Sequence, residues 1–470
     1  MMRNSSEGSI VMKEIRDALI QIVGEENHTE ALIDLVSYSS DASDHVHRPE
    51  MAVWPNDATQ VSSILKLANE FHFPVIPRGA GTGLAGGAVP ERGGLVVDMC
   101  RMNRIVEINI EDRQVVVEPG VVYSDLQVAL EPYGFFFPPD PASGSAATLG
   151  GNVATSAGGL KGAKYGTTKD YVLGLEVVLP NGSILRTGSN CMKSVSGYDL
   201  TRLFVGSEGT LGIITKIILK INPKPICTST CSAVFDSVWD AGKAVSDVIH
   251  SGIVPSALEI LDRQCLVALK ANTKLDIPDA TAMLLAEADG YTDEETNYQI
   301  GKVIEVFERN KGKFIRLARS SEEAERIWAA RKSVGGVLYR LGHNMLAEDV
   351  TVPISKVPKM LVGIEEISKR HSILIATLGH LGDGNLHPNI IFDGCNPRER
   401  ARAEEASADL FKLAIELGGT LTGEHGIGLA KAPFMSLEHS PVAIGLMRNI
   451  KRLLDPNNIL NPGKMNLEAQ

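Results

Sequence analysis

Pro77-Arg78-Gly79-Ala80-Gly81-Thr82-Gly83-Leu84-Ala85-Gly86-Gly87 is the stretch of this 470-residue chain whose reading decides its fold. Residues 75–77 before it read as a short strand and residues 94–99 after it as another, with no room for a helix between. A Rossmann fingerprint needs its glycine turn to open directly into a helix whose N-terminus holds the pyrophosphate. Here the glycines join strand to strand, which argues against an NAD site. They offer instead a run of exposed backbone N–H groups that can curl into a nest for a pyrophosphate, with the Thr82 hydroxyl as a further donor. Taken alone, such a run also serves as a plain turn.

Working outward, Met51, Ala52, Val53 and Trp54 form an apolar strand closed by Pro55. Asp57, Ala58 and Thr59 offer caps for a helix through Glu70, with Val61, Ile64, Leu65 and Ala68 on one face. Strands follow at residues 113–118 and 173–179; Asn181-Gly182 turns the latter into 184–187 as a hairpin, and a last strand runs over 211–221. His72, beside Pro74, reads as the lead into the strand at 75. The expected organisation is an N-terminal helical segment (1–46, two short amphipathic helices over 8–36), a mixed α+β domain (47–224) ending near Pro223-Lys224-Pro225, a second domain (225–425) and a C-terminal helical segment (426–470) that returns to the first domain. In the second domain, helices over 237–251 and 294–310 alternate with strands such as 282–286, the pattern of a ferredoxin-like antiparallel sheet.

Composition narrows the classes. Hydrophobic residues make up 44% and charged residues 22%, a globular balance. A formal charge of -11 argues against general nucleic-acid binding and means that an anionic ligand needs a local basic pocket. Six scattered cysteines indicate neither a disulfide framework nor a thiolate metal site, and fit a reducing cytoplasm. No run of 18 apolar residues suggests a membrane span, which leaves peripheral docking at an inner membrane through a partner.

Three further segments bear on the glycine loop: Pro138-Pro139-Asp140-Pro141-Ala142-Ser143, Gly150-Gly151-Asn152-Val153-Ala154-Thr155-Ser156-Ala157-Gly158-Gly159, and Gly206-Ser207-Glu208-Gly209-Thr210-Leu211-Gly212-Ile213-Ile214. Their small residues let backbone approach a large flat ligand. With them the chain resembles the vanillyl-alcohol-oxidase-type, or PCMH-type, FAD-binding family over nearly the whole first domain. The resemblance implies FAD contacts at Arg78, Gly79, Ala80, Gly81, Thr82, Gly83, Leu84, Pro139, Ser143, Gly150, Gly151, Asn152, Ser156, Gly159, Glu208 and Ile214. Many relatives attach the flavin to a histidine in the first loop; this loop has none, so noncovalent FAD is expected.

His380-Leu381-Gly382-Asp383-Gly384-Asn385-Leu386-His387 sets two imidazoles on either side of a Gly-Asp-Gly turn, between apolar runs. Thr422-Gly423-Glu424-His425-Gly426-Ile427-Gly428 adds a carboxylate and a third imidazole. Two His and one Glu suffice for Zn²⁺ or another borderline divalent ion with open positions; alternatively these rings cap turns and pack. Both motifs closely resemble the C-terminal region of glycolate oxidase flavoprotein subunits and of D-lactate and D-2-hydroxyglutarate dehydrogenases. That resemblance implies that His380, His387 and Glu424 ligate a divalent metal, Zn or Mn, and that His425 is the acid-base residue.

Arg331-Lys332, on a helix, supplies the basic pocket, and the resemblance places a substrate-carboxylate arginine at Arg331 and a substrate-contacting asparagine at Asn389. Where the hydroxyglutarate enzymes present a threonine and a lysine this chain has Gly335 and Ala347, which favours a monocarboxylate such as D-lactate or glycolate. The expected reaction is hydride transfer from a 2-hydroxy acid to FAD. With no cluster or haem motif in the chain, electrons pass to a partner, whether iron–sulfur subunit, electron-transferring flavoprotein, cytochrome or quinone, in a homodimer or hetero-oligomer. The competing readings are a same-fold oxidase of another alcohol and a noncatalytic flavin-binding subunit.

Overall fold

A computed structural model describes residues 5–468, with side chains from Lys13 onward, so Ile10 and Val11 of the N-terminal apolar pattern lie outside the described side chains. The two expected N-terminal helices are Ser5–Val23 and Leu32–Ser37.

The glycine loop hangs from a small sheet with the strand order His28–Thr29, Met51–Val53, Leu95–Asp98, Val75–Arg78, the last two pairs parallel. Parallel strands need crossovers: the helix Ala58–Phe71 carries the chain from Met51–Val53 to Val75–Arg78, and the glycine loop carries it on to Leu95–Asp98, which pairs between them. Asp57 caps that helix by accepting the N–H groups of Thr59 and Gln60, and the face carrying Val61, Ile64, Leu65 and Ala68 is buried. His72 is not a strand lead. It is the C-cap of this helix, at φ +55° with its N–H on the Ala68 carbonyl, because Pro74 forces the chain out of helical geometry just beyond.

A second, antiparallel sheet runs Ile105–Asn109, Gln114–Val117, Ile213–Lys220, Val172–Val178, Ile184–Gly188. Its hairpin closes at Gly182, where φ is +79°. The strand Ile105–Asn109 is absent from the sequence reading. It is an edge strand with Val106 and Glu107 exposed, so its apolar alternation is weak.

Beyond residue 225 the strands form one antiparallel sheet in the order Lys313–Leu317, Cys227–Phe235, Ala282–Gly290, Ala257–Asp262, Leu374–His380, Asn385–Phe392, Asn344–Ala347, with Val350–Thr351 also paired to Asn385–Phe392. Its first four strands follow the ferredoxin-like order fourth, first, third, second. Helices cover both faces: Val238–His250, Asp293–Arg309, Val357–His371 and Pro397–Glu416 pack on one, Arg263–Asn272 and Ser321–Leu338 on the other. The reason is visible in Ala282–Gly290, where Leu284 enters one core and its neighbour Leu285 the other. Successive strand side chains point to opposite faces, so an unbroken apolar run needs cover on both.

The chain then returns. From Pro441–Leu454, Ile450 and Leu454 pack on the core of the second sheet, while Ile459 and Leu460 enter that of the first. Lys451 is buried, and its ammonium donates to the carbonyls of Thr210 and Leu460 and to the Asp455 carboxylate. Removing one partner of a buried ion pair typically costs about 3–5 kcal/mol, because the remaining charge is left unpaired. Lys451→Met is therefore expected to lower the urea midpoint of the flavin-loaded protein by an amount equivalent to at least ~2 kcal/mol; a midpoint equal to wild type would show that this tie is not a structural anchor.

Candidate functional site

The glycine loop, the segment around Ser143, the helix Leu149–Thr155 and the Glu208–Ile214 segment enclose a cavity of about 620 Å³. Arg78, Gly79, Ala80, Gly81, Thr82, Gly83, Leu84, Ser143, Gly150, Gly151, Asn152, Glu208 and Ile214 all line it. Three of the expected contacts do not. Pro139 is buried beside it, Ser156 lines a smaller neighbouring cavity, and Gly159 backs onto the Asp140 carbonyl so closely that a Cβ would overlap it.

Glycine is required where the loop turns. Gly81 sits at φ +72°, and a Cβ there would overlap the Arg78 guanidinium. Arg78 is itself held: it donates to the Ser40 carbonyl at 2.8 Å and lies over the Tyr38 ring.

Glu424 and His425 also enter the wall of the cavity. The two other imidazoles reach them from the hairpin of Leu374–His380 and Asn385–Phe392. Leu378 pairs with His387, so His380, two residues beyond Leu378, shares the face of His387. The rings meet edge to face with centroids 5.0 Å apart, and Glu424 Oε1 lies 3.4 Å from His380 Nε2 and 3.3 Å from His387 Nε2. His425 stacks on His387 at 5.1 Å with the rings 8° from parallel, and its Nδ1 is buried without a hydrogen-bond partner.

Three buried carboxylates organise this cluster: Glu259 and Asp349, to which the sequence reading gave no role, and Glu208, expected there only as an FAD contact. Glu259 Oε1 lies 2.7 Å from His380 Nδ1, and its Oε2 accepts Arg331 Nε at 2.7 Å. Asp349 Oδ2 accepts the Thr422 hydroxyl and the N–H groups of Gly423, Glu424 and His425 at 2.6–3.0 Å. Glu208 accepts the N–H groups of Ile427 and Gly428 at 2.7 Å each, tying the Glu-His loop to the first unit. A signal for Glu259 was present: it is the lone charge in the apolar run Ala257-Leu258-Glu259-Ile260-Leu261, and an unpaired charge is rarely buried.

Charges follow from these contacts. Burial opposes ionisation of His380, but the carboxylates of Glu259 and Glu424 outweigh it and hold the ring well above its ordinary pKa. Burial likewise opposes the Asp349 charge, and Lys431, His425 and His387 overcome it, keeping the group well below the carboxylate range. His425 goes the other way: burial pushes it down to about 4. Burial also raises Glu208, against its two backbone donors.

The expected substrate residues are placed differently. Arg331 is committed to Glu259 through Nε, Lys332 is exposed near Asp140, and the Asn389 amide donates to the carbonyls of Ala376 and His387, bracing the hairpin. None of the three lines the cavity.

Residues 224–465 match the family described as FAD linked oxidases, C-terminal domain, and residues 49–188 match a FAD binding domain. The chain belongs to the FAD-linked oxidases. It is 43% identical to the glycolate oxidase subunit GlcD of Bacillus subtilis, covering 97% of each chain, and 36% identical to the mitochondrial D-lactate dehydrogenase [cytochrome] of Arabidopsis thaliana, covering 89% of this chain and 74% of that one. The fold is shared with p-cresol methylhydroxylase, at a TM-score of 0.81 and 22% identity over 97% of both chains. This oxidase is therefore an FAD-linked oxidoreductase. Among its described residues no helix is long and apolar enough to cross a membrane. For the cofactor, Gly81→Val is expected to keep the far-UV spectrum yet purify with most of its FAD lost, read as flavin absorbance per protein; full flavin content would refute the requirement for glycine there.

Proposed function

We propose that this FAD-linked oxidase converts a small 2-hydroxy monocarboxylate, D-lactate or glycolate, to the 2-oxo acid at an ion held by His380, His387 and Glu424. The observation that carries the reading is the convergence of two imidazole Nε2 atoms on one Glu424 oxygen in the wall of the flavin cavity. Donor atoms bound at ~2.0–2.1 Å around a tetrahedral ion stand about 3.3–3.4 Å apart, which matches the separations of 3.3 and 3.4 Å measured here. The mixed N and O set suits Zn or Mn. Three protein donors leave a position open for substrate.

When bound, FAD takes up the hydride from the substrate's α-carbon and the ion acidifies its hydroxyl. The chain's own residues do the rest. His425 lines the cavity and its buried Nδ1 has no hydrogen-bond partner, so its imidazole is the group suited to take the hydroxyl proton. Stacking on His387 and the Asp349 bond to its backbone N–H fix where that ring sits. Arg331, whose terminal nitrogens make no hydrogen bond among the described residues, and the neighbouring Lys332 receive the substrate carboxylate, while Asn389 keeps the hairpin rigid. Gly335 is exposed with open space around it and gives a second carboxylate no donor. The names of the relatives, a glycolate oxidase subunit and a D-lactate dehydrogenase [cytochrome], agree with a monocarboxylate substrate and with electrons leaving to a separate acceptor: an iron–sulfur subunit, an electron-transferring flavoprotein, a cytochrome or quinone.

Anaerobic mixing with D-lactate, L-lactate, glycolate and D-2-hydroxyglutarate tests the reaction. Bleaching of the flavin by D-lactate or glycolate is expected, and failure of both would end the reading. His425→Ala should retain FAD while slowing flavin reduction by about 10²–10⁴-fold, and wild-type rates would remove its acid-base role. His380→Ala should purify without the ion; unchanged metal content with unchanged turnover would dismiss the site.

A further inference from the structure

Glu259 lies wholly within the protein and is claimed by two partners at once. It stands directly across from His380 on the neighbouring antiparallel strand, the register in which cross-strand side chains meet. Its Oε1 faces His380 Nδ1 at 2.7 Å, and its Oε2 holds Arg331 Nε, from the helix Ser321–Leu338, at the same distance.

An imidazole has two nitrogens, and the bond made by one decides which way the other points. With Nδ1 turned to Glu259, His380 can offer only Nε2 to Glu424 and His387. The second oxygen does the equivalent for Arg331. It fixes the guanidinium plane by Nε and leaves both terminal nitrogens without a hydrogen bond among the described residues. A carboxylate present only to neutralise Arg331 would need no histidine opposite it.

The geometry points to Glu259 as a positioning residue that orients the ion ligand His380 and the substrate-carboxylate receptor Arg331 from one anchor, so that ion binding and substrate binding are coupled through it. This rests on the metal-assisted reading above. Coupling of this kind is reciprocal: loosening the anchor weakens both.

The test uses the flavin-loaded protein stripped of metal by chelation and titrated with Zn²⁺ and with Mn²⁺. Glu259→Gln keeps the size of the side chain and removes the charge that both partners share. Expected are unchanged FAD content, ion affinity lower by about 10–100-fold and a raised KM for the 2-hydroxy acid that reduces the wild-type flavin. Arg331→Met should raise KM too, and with the ion saturating the double variant should raise it no further than Arg331→Met alone, since the carboxylate-receiving contact is then already lost. Glu259→Asp should recover part of the ion affinity. Wild-type ion affinity and KM in Glu259→Gln would overturn the proposal while leaving the metal reading intact; a wild-type protein that binds neither ion overturns both. If Glu259→Gln does not fold, the ¹⁵N spectrum of the ion-loaded wild type decides, with His380 assigned by its loss in His380→Gln. A proton on Nδ1 supports the anchor, and an ion bound through Nδ1 overturns it.

Discussion

One oxygen atom gathers the candidate active site. Asp349 Oδ2 accepts the Thr422 hydroxyl and three successive backbone N–H groups, from Gly423, Glu424 and His425. Those donors would otherwise be buried and unpaired, each costing about 1–3 kcal/mol. Meeting at one anion, they fold the loop into a tight arch that thrusts Glu424 towards His380 and His387 and leaves His425 stacked on His387. The other Asp349 oxygen accepts the Asn385 amide from the hairpin turn and lies 3.7 Å from His387 Nδ1, so loop and hairpin are referenced to the same carboxylate.

Around that point the site is built from buried charges. Glu259, Asp349 and Glu208 each secure a different segment, and Lys431 donates to the Asp349 carbonyl. Buried ion pairs are poor value as stabilisers, since desolvation offsets most of the attraction. Their use here is geometric: charge-assisted bonds are short and directional, which suits a site whose donors must be placed to fractions of an ångström. Glu208 shows how this joins the two halves of the molecule. It lines the flavin cavity and accepts two N–H groups of the Glu-His loop, so the wall that faces FAD and the arch that presents Glu424 and His425 are held by a single side chain.

The C-terminal return has the same logic on a larger scale. Lys451, Asp455 and the strand-like contact of Val75 with Ile459 and Asn461 pin the chain end onto the small sheet that carries the glycine loop. The cavity is therefore closed by residues far apart in the chain, which is why the fold must be complete before the site exists.

Much of this was legible beforehand. Strand-to-strand glycines, the helix capped by Asp57, the Asn181-Gly182 hairpin and the two imidazoles about a Gly-Asp-Gly turn are local features, governed by backbone geometry and short-range periodicity. The double helical cover of the large sheet was not, although its unbroken apolar strands imply it; nor was the edge strand Ile105–Asn109, whose pattern is weak because one side meets water. By itself the sequence determined which residue types are available for chemistry and on which turns they sit. Tertiary structure alone decided their partners: Glu259 meets His380 across 121 positions and Arg331 across 72, and Asp349 reaches the Glu424 N–H across 75. Periodicity fades within a few turns of chain, whereas the desolvation of a charge can be relieved by any group that folding brings near, and nothing in the order of residues says which one that will be.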